Sequence, residues 1–589
     1  MSGTRTSLAG WLARMGFTDV PRAERELAAL GIAAGGHPLL TALAQAADPG
    51  LALAGLARIA ERDPGLTEQL TSDAAFSARL TAVLGVSKAL ADHLARHPED
   101  TVVLRGQDAD RRQDQAAIRA GLLTAVAADA GTADPAARLA AAYRRRVLHL
   151  AARDLTGKAS VDEVGQELAG LANAVLEAAL AIARAELPGD AAPARLAIIA
   201  MGKCGACELN YASDVDVIFV AEPAPDSTED AALKTATKLA AGVIQVCERS
   251  TPEGSIFPVD PNLRPEGRQG PLVRTLASHL AYYDRWAKTW EFQALLKARA
   301  AAGDLDLGER YVAKVSPLVW QASQRENFVE DVQAMRRRVE ATLPKNMAGR
   351  ELKLGPGGLR DIEFAVQLLQ LVHGRTDERL RAPATLPALK ALADGGYVGR
   401  ADADDLAGAY RFLRRTEHLL QLFQLRRTHT LPTDPEVLRR LARAMRNSIS
   451  QNGPVTSPEE AFTEAWRRHA LRVRRLHEKL FYRPLLDAVA RLPGDTVRLT
   501  PEAARARLEA LGYRDPAGAL RHIEALTTGV RRRAAIQRTL LPVLLGWFAD
   551  AAEPDAGLLG FRQVSEALGE TPWFLRLLRD ETKAAARTG

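Results

Sequence analysis

Over most of its length the chain repeats apolar residues every three or four positions, the period of an amphipathic helix. This pattern runs in short pieces from the start to about residue 100, where Ala47-Asp-Pro-Gly50 and Arg62-Asp-Pro-Gly65 read as breaks. It continues through about 108–155 and 160–187, then stops at Leu187-Pro-Gly-Asp-Ala-Ala-Pro-Ala-Arg195. From 195 to about 275 short apolar runs replace it. They predict strands at 195–200, 215–221, 255–260 and 271–274, with a helix near 228–249 started by Ser227 and Asp230 in a capping-box arrangement. Beyond 275 the pattern is helical again: one helix over 276–300, then helices across 380–490 and 500–580. Glu351-Leu-Lys-Leu-Gly-Pro-Gly-Gly-Leu-Arg-Asp-Ile-Glu-Phe364 interrupts it and reads as a short strand, a glycine turn and a helix.

The expected fold is therefore mainly α, with an embedded α/β domain (a small mixed sheet), which the motifs below make of nucleotidyltransferase type, and helical domains on both sides. The 589 residues exceed what one core can organise. Four regions are expected: N-terminal helices over 1–105, the catalytic domain over 106–305, a helical domain over 306–490 carrying the Gly-rich loop at 355–358, and a helical connecting region over 491–589.

Candidate chemistry concentrates where the period changes. The run Leu196-Ala-Ile-Ile-Ala200 enters a small-residue turn, Gly202-Lys203-Cys204-Gly205-Ala206, and Asp214-Val-Asp216 heads the next apolar run. In a strand, residues i and i+2 share a face ~6–7 Å apart. Two carboxylates on one face repel each other and resist burial, and a divalent cation resolves both problems. Hard oxygen ligands suit Mg²⁺, and the turn offers N–H groups to a phosphate. Asp260 is the third candidate carboxylate, and such a set can hold two metals. Arg264 and Arg268 in the adjoining Gly/Pro-rich loop suit a phosphate clamp. Gly357, Gly358 and Arg360 form a second candidate phosphate loop. Trp286 and Trp290 fall four apart on the 276–300 helix, a spacing more typical of core than of base stacking; Lys297 and Arg299 follow on the same helix.

Other classes recede. Three cysteines argue against a disulfide framework and fit a reducing cytoplasm, and Cys204-x-x-Cys207 has no second pair. No signal-peptide core opens the chain, and no run is expected to span a membrane. The net charge of +6 is mild and its arginine triplets, at 144–146, 336–338 and 531–533, are interleaved with acids. With aromatics at 5%, this speaks against a nucleic-acid track and against an RNA nucleotidyltransferase.

Gly202–Asp216, Val259-Asp-Pro-Asn-Leu-Arg-Pro-Glu-Gly267, Trp290–Arg299 and Leu352–Phe364 together resemble, in order and spacing, the glutamine synthetase adenylyltransferase family. The resemblance covers about 195–375 and extends more loosely to both ends. It implies two tandem nucleotidyltransferase halves in the whole enzyme: one adds AMP from ATP to a tyrosine of glutamine synthetase, and the other removes it by phosphorolysis, giving ADP. A PII-type signal protein and glutamine set the balance. With a single such site, the chain looks like the N-terminal, adenylyl-removing half of a longer protein. Leu541–Phe548 and Pro572–Leu575 resemble the helices that precede a second half. The resemblance implies that Asp214, Asp216 and Asp260 hold Mg²⁺, and that Lys203, Arg264 and the Gly202–Ala206 backbone hold phosphates of ATP, ADP or inorganic phosphate. Two positions depart from the family. Cys207 stands where Arg is common in Gly-Gly-Arg-Glu, and Asn262 stands where Asp-x-Arg-Leu-Arg has its first Arg. Adenylylation by the same site, and a non-catalytic module that binds a PII-type protein or glutamine synthetase, are the competing expectations.

Overall fold

The computed structural model describes residues 8–32, 37–127, 134–325, 328–344, 347, 349–449 and 457–491, and parts of 505–571 of which 513–527 and 553–568 are the longest. Pro572–Leu575, Arg531–Arg533 and half of Leu541–Phe548 lie outside the described residues, as does much of the expected 491–589 region.

The only sheet among the described residues has five strands: β1 (Ala194–Ala200), β2 (Val215–Pro223), β3 (Val259–Asp260), β4 (Val273–Thr275) and β5 (Arg299–Gly303). β1 runs antiparallel to β2 on one side and to β5 on the other. β3 and β4 both lie parallel to β2 along its far edge, β3 beside its start and β4 beside its end. Alternation sorts the side chains onto two faces. Leu196, Ile198, Val217 and Phe219 join the core that includes the Val161–Ala185 and Glu229–Glu248 helices. Ala197, Ile199, Ile218 and Val220 pack with Leu307, Tyr311 and Val315 of the Leu305–Gln321 helix and with Phe364 and Leu368 of the Leu359–His373 helix. A sheet covered on both faces explains why its central strands read as continuous apolar runs rather than alternating ones.

Several local expectations change. The helix expected over 276–300 is two helices, Leu276–Arg285 and Thr289–Leu295, followed by β5. Trp286 sits at the break and is 72% exposed, so it forms no stripe with Trp290. The strand expected over 255–260 shrinks to its last two residues. Pro258 has no N–H for a ladder, and its carbonyl accepts from the Val215 N–H at 2.9 Å. Thr228, not Ser227, caps the Glu229–Glu248 helix. Ala47-Asp-Pro-Gly50 starts a helix as well as breaking one: the Asp48 side chain accepts from the Leu51 N–H and Pro49 occupies the first turn. The expectation that no run could span a membrane also changes. Val161–Ala185 is long and apolar enough by length and composition, with two-thirds of its most apolar window buried inside the protein.

Candidate active site

β2 carries Asp216 on the face it shares with Ile218 and Val220, and Asp214 lies just before the strand, two positions ahead of Asp216. Asp260 is paired in register with Asp216 across the parallel β2–β3 contact, so its side chain leaves the sheet on the same face. The three carboxylates foreseen from sequence thus converge at one end of the sheet. Their cost is visible at Asp216: burial, then the charges of Asp214 and Asp260, push its carboxyl up from 3.8 to about 6, against Lys353 and Arg360. The donor set is all oxygen and held on adjacent strand ends, which fits a hard divalent cation. The turn after β1 is shaped to it. Gly202 has φ +51, and a Cβ there would come within 2.3 Å of Asp216 Oδ2.

The turn itself is more self-contained than the sequence implied. Gly205 and Ala206 spend their N–H groups on the Met201 and Gly202 carbonyls, so neither amide is free for a phosphate. Gly205 is a packing glycine, because a Cβ would lie 2.0 Å from the Lys297 carbonyl oxygen. Arg299 tightens the same turn by donating to the Gly205 and Cys204 carbonyls at 3.1 and 2.9 Å, and is not aimed at phosphate. Cys204 is a buried free thiol beside a half-buried Cys207.

The Gly355–Gly358 loop behaves in the same way. The Gly357 N–H is held by Asp361, the Gly358 N–H by the Gly355 carbonyl, and the Leu359 and Arg360 amides by Leu352 and Lys353. Gly357, at φ +76, rests on the Ala470 carbonyl. Gly357 and Gly358 are therefore turn formers and not a phosphate cradle; the loop contributes side chains. Lys353 and Arg360 both act on Asp216, and with Lys203 and Lys297 they surround Glu363. Burial opposes the charge of Glu363, yet these four cations hold its carboxyl down at about 2. Arg264 is clipped to its own loop, donating to the Pro261, Gly270 and Arg268 carbonyls. Arg268 is exposed and leans on Asn262 Oδ1 at 3.3 Å.

Residues far along the chain complete the site. Lys203 Nζ lies 3.1 Å from Asn210 Oδ1 and 3.3 Å from the fully buried Glu417. Arg414 binds the same Glu417 and Asn210 oxygens at 2.8 Å and donates to the Glu208 and Leu209 carbonyls. His429 Nδ1 sits 2.7 Å from the other Glu417 oxygen. Burial pulls the Lys203 ammonium down to about 7 against the attraction of Glu417. Arg427 pairs with Asp214 at 2.7 Å and also lines a cavity of about 360 Å³ with Leu419, Phe423, Arg426 and Arg440. Sequence reasoning missed Lys353, Glu363, Arg414, Glu417, Arg427 and His429. Lys353 and Glu363 lay inside the recognised Leu352–Phe364 motif; the others have no local signal, because only the tertiary fold brings the Arg400–Leu422 helix and the segment after it to the turn.

Comparison with known proteins finds relatives along the chain. The model of the glutamate-ammonia ligase adenylyltransferase family matches residues 77–314, and that of the PII-uridylyltransferase family matches 326–481. A bifunctional glutamine synthetase adenylyltransferase/adenylyl-removing enzyme of Streptomyces avermitilis is 59% identical over 99% of this chain and 58% of its own length. Its Streptomyces coelicolor counterpart gives the same three figures. That of Cutibacterium acnes is 50% identical over 92% of this chain and 55% of its own length. The chain thus spans a little over half the length of these curated relatives.

Proposed function

Because the chain belongs to the glutamine synthetase adenylyltransferase/adenylyl-removing enzyme family, we propose that its carboxylate site removes AMP from adenylyl-tyrosine of glutamine synthetase by phosphorolysis, as the N-terminal half of such an enzyme. The observation that carries the reading is the convergence of Asp214, Asp216 and Asp260 on one sheet face opposite Lys203, Lys353 and Arg360. Anionic ligands bracketed by cations on one side and carboxylates on the other call for a divalent metal, and these three aspartates would hold Mg²⁺. When bound there, it neutralises charge on the transferred group and on the leaving oxygen.

The chain's own groups do the rest. Lys203, Lys353 and Arg360 bind and orient an inorganic phosphate for in-line attack on the adenylyl phosphorus. The new bond joins phosphate oxygen to that phosphorus; the bond to the tyrosine oxygen breaks, the phenol regains a proton, and ADP leaves. An incoming phosphate also restores full charge to Lys203, which burial and the neighbouring Arg414 and Lys353 charges depress. Glu417, Arg414 and Asn210 fix the Lys203 side chain and the segment leading to Asp214. The cavity beside Arg427 is of a size for a nucleoside and has an apolar floor; it takes the adenosine of the adenylyl group. A PII-type signal protein is the proposed regulator, supported by the PII-uridylyltransferase match over 326–481.

Product identity tests the reading. Incubation with adenylylated glutamine synthetase, Mg²⁺ and phosphate is expected to yield ADP that requires phosphate. Pyrophosphate formed from ATP and unmodified glutamine synthetase, with no ADP in the first reaction, would assign the site to the adenylylating direction instead.

A further inference from the structure

The side chains of His93, His97 and Glu253 meet where the Lys88–Arg96 helix and the turn after it touch the loop that leads into β3. None of them belongs to the carboxylate site. His93 is 1% exposed, and its Nε2 lies 2.9 Å from the Asp100 carboxylate. With the N–H of a neutral ring given to that carboxylate, Nδ1 is a bare lone pair. Nδ1 has no hydrogen-bond partner, and it faces Glu253 Oε2 at 3.5 Å, an oxygen that is buried and equally without a hydrogen bond. Two buried acceptors pointed at one another are unfavourable unless a cation lies between them. His97 Nε2 sits 2.9 Å from the other Glu253 oxygen, and its Nδ1 lies 3.3 Å from Glu99.

The geometry points to a Zn²⁺ site formed by His93 Nδ1, His97 Nε2 and the Glu253 carboxylate, separate from the nucleotide site. The three ligand atoms lie within 4.8 Å of one another. A tetrahedral zinc with bonds of ~2.1 Å places its ligands ~3.4 Å apart, close to the observed His93–Glu253 separation. Two imidazoles and one carboxylate are a common zinc donor set with room for a fourth ligand. The outer shell fits as well: Asp100 backs His93 and Glu99 backs His97, the arrangement that fixes the ligating tautomer. Arg145 in turn holds Asp100 at 3.3 Å. Arg96, 39% exposed and also donating to the Asp92 and Pro252 carbonyls, reaches Glu253 Oε2 at 3.2 Å, a contact that an ion on that oxygen displaces. Glu253 lies seven residues before Asp260 in the chain. A bound ion therefore staples the segment leading to the third catalytic carboxylate onto the N-terminal helices.

The test uses the full chain, stripped with chelator, loaded with Zn²⁺ and desalted into metal-free buffer. Metal analysis is expected to find one zinc per chain in the wild type and in Asp216→Asn, and none in His93→Gln or Glu253→Gln. His97→Gln, at a partly exposed position, is expected to lower zinc affinity at least tenfold and to abolish the rise in the first thermal unfolding midpoint that zinc gives the wild type. Absence of retained zinc in a folded wild-type chain overturns the site; so does retention by His97→Gln equal to the wild type. A midpoint that responds to pH but not to zinc would assign the gap between His93 and Glu253 to a proton and also overturn it.

Discussion

Asp216→Asn should make the metal-free protein more stable while destroying its activity. The folded-state carboxyl sits at about 6, above its ordinary 3.8, because burial and the neighbouring Asp214 and Asp260 disfavour the charge. A raised carboxyl opposes folding where it is ionised, above about pH 6, and that cost fades as the pH falls toward 3.8. The rise corresponds to ~3 kcal/mol at pH 7.5, shrinking to ~0.5 kcal/mol near pH 4. An amide of the same shape removes this term. In chelator at pH 7.5 the variant should therefore unfold at a higher temperature than the wild type, and the gap should close near pH 4. Saturating Mg²⁺ should close it as well, by stabilising only the wild type through ligation. The assay is the first thermal unfolding transition, with and without chelator, at the two pH values. A variant that is no more stable than the wild type in chelator at pH 7.5, or whose advantage survives saturating Mg²⁺, would refute the claim that carboxylate crowding is stored here for a cation.

Four further outcomes follow from the same contacts. Glu417→Gln removes the one anion shared by Lys203, Arg414 and His429 and should cost ~3–5 kcal/mol, read from chemical denaturation; a loss under ~1 kcal/mol would contradict the network. Gly202→Ala drives a methyl onto Asp216 Oδ2 at a left-handed backbone position and should abolish turnover, whereas Gly31→Ala, also left-handed but in open space, should leave turnover unchanged. Arg360→Ala should raise the KM for phosphate at least tenfold with a smaller change in kcat, since steady-state kinetics separates binding from chemistry. Arg427→Ala frees Asp214 from its guanidinium and should lower the Mg²⁺ concentration for half-maximal activity several-fold; an unchanged requirement would mean that the pair does not compete with the metal.

The carboxylates were legible because strand periodicity alone places i and i+2 on one face, and Asp260 ended a neighbouring apolar run. The helical surroundings were legible from their period. What failed did so for physical reasons. Arg299-Ala-Ala-Ala-Gly303 has helix-forming residues, yet it becomes β5 because the open edge of β1 offers hydrogen bonds that outweigh propensity. Both glycine turns looked like phosphate cradles, since spacing cannot reveal whether an amide is already bonded; at Gly205, Ala206, Gly357 and Gly358 it is. The cations were harder still. Arg427 and Arg414 stand more than 190 residues beyond the carboxylate motif, on and after a helix whose buried polar face only makes sense once it is packed on the turn.

The central claim is that the three aspartates carry out adenylyl removal. Its most direct measurement is the mass of the modified tyrosine peptide of adenylylated glutamine synthetase after treatment with Mg²⁺, phosphate and either the wild-type chain or Asp216→Asn. The account predicts loss of the AMP mass, with matching ADP, for the wild type only. An unchanged peptide with folded wild-type protein and a PII-type partner present, or equal loss with Asp216→Asn, would contradict it.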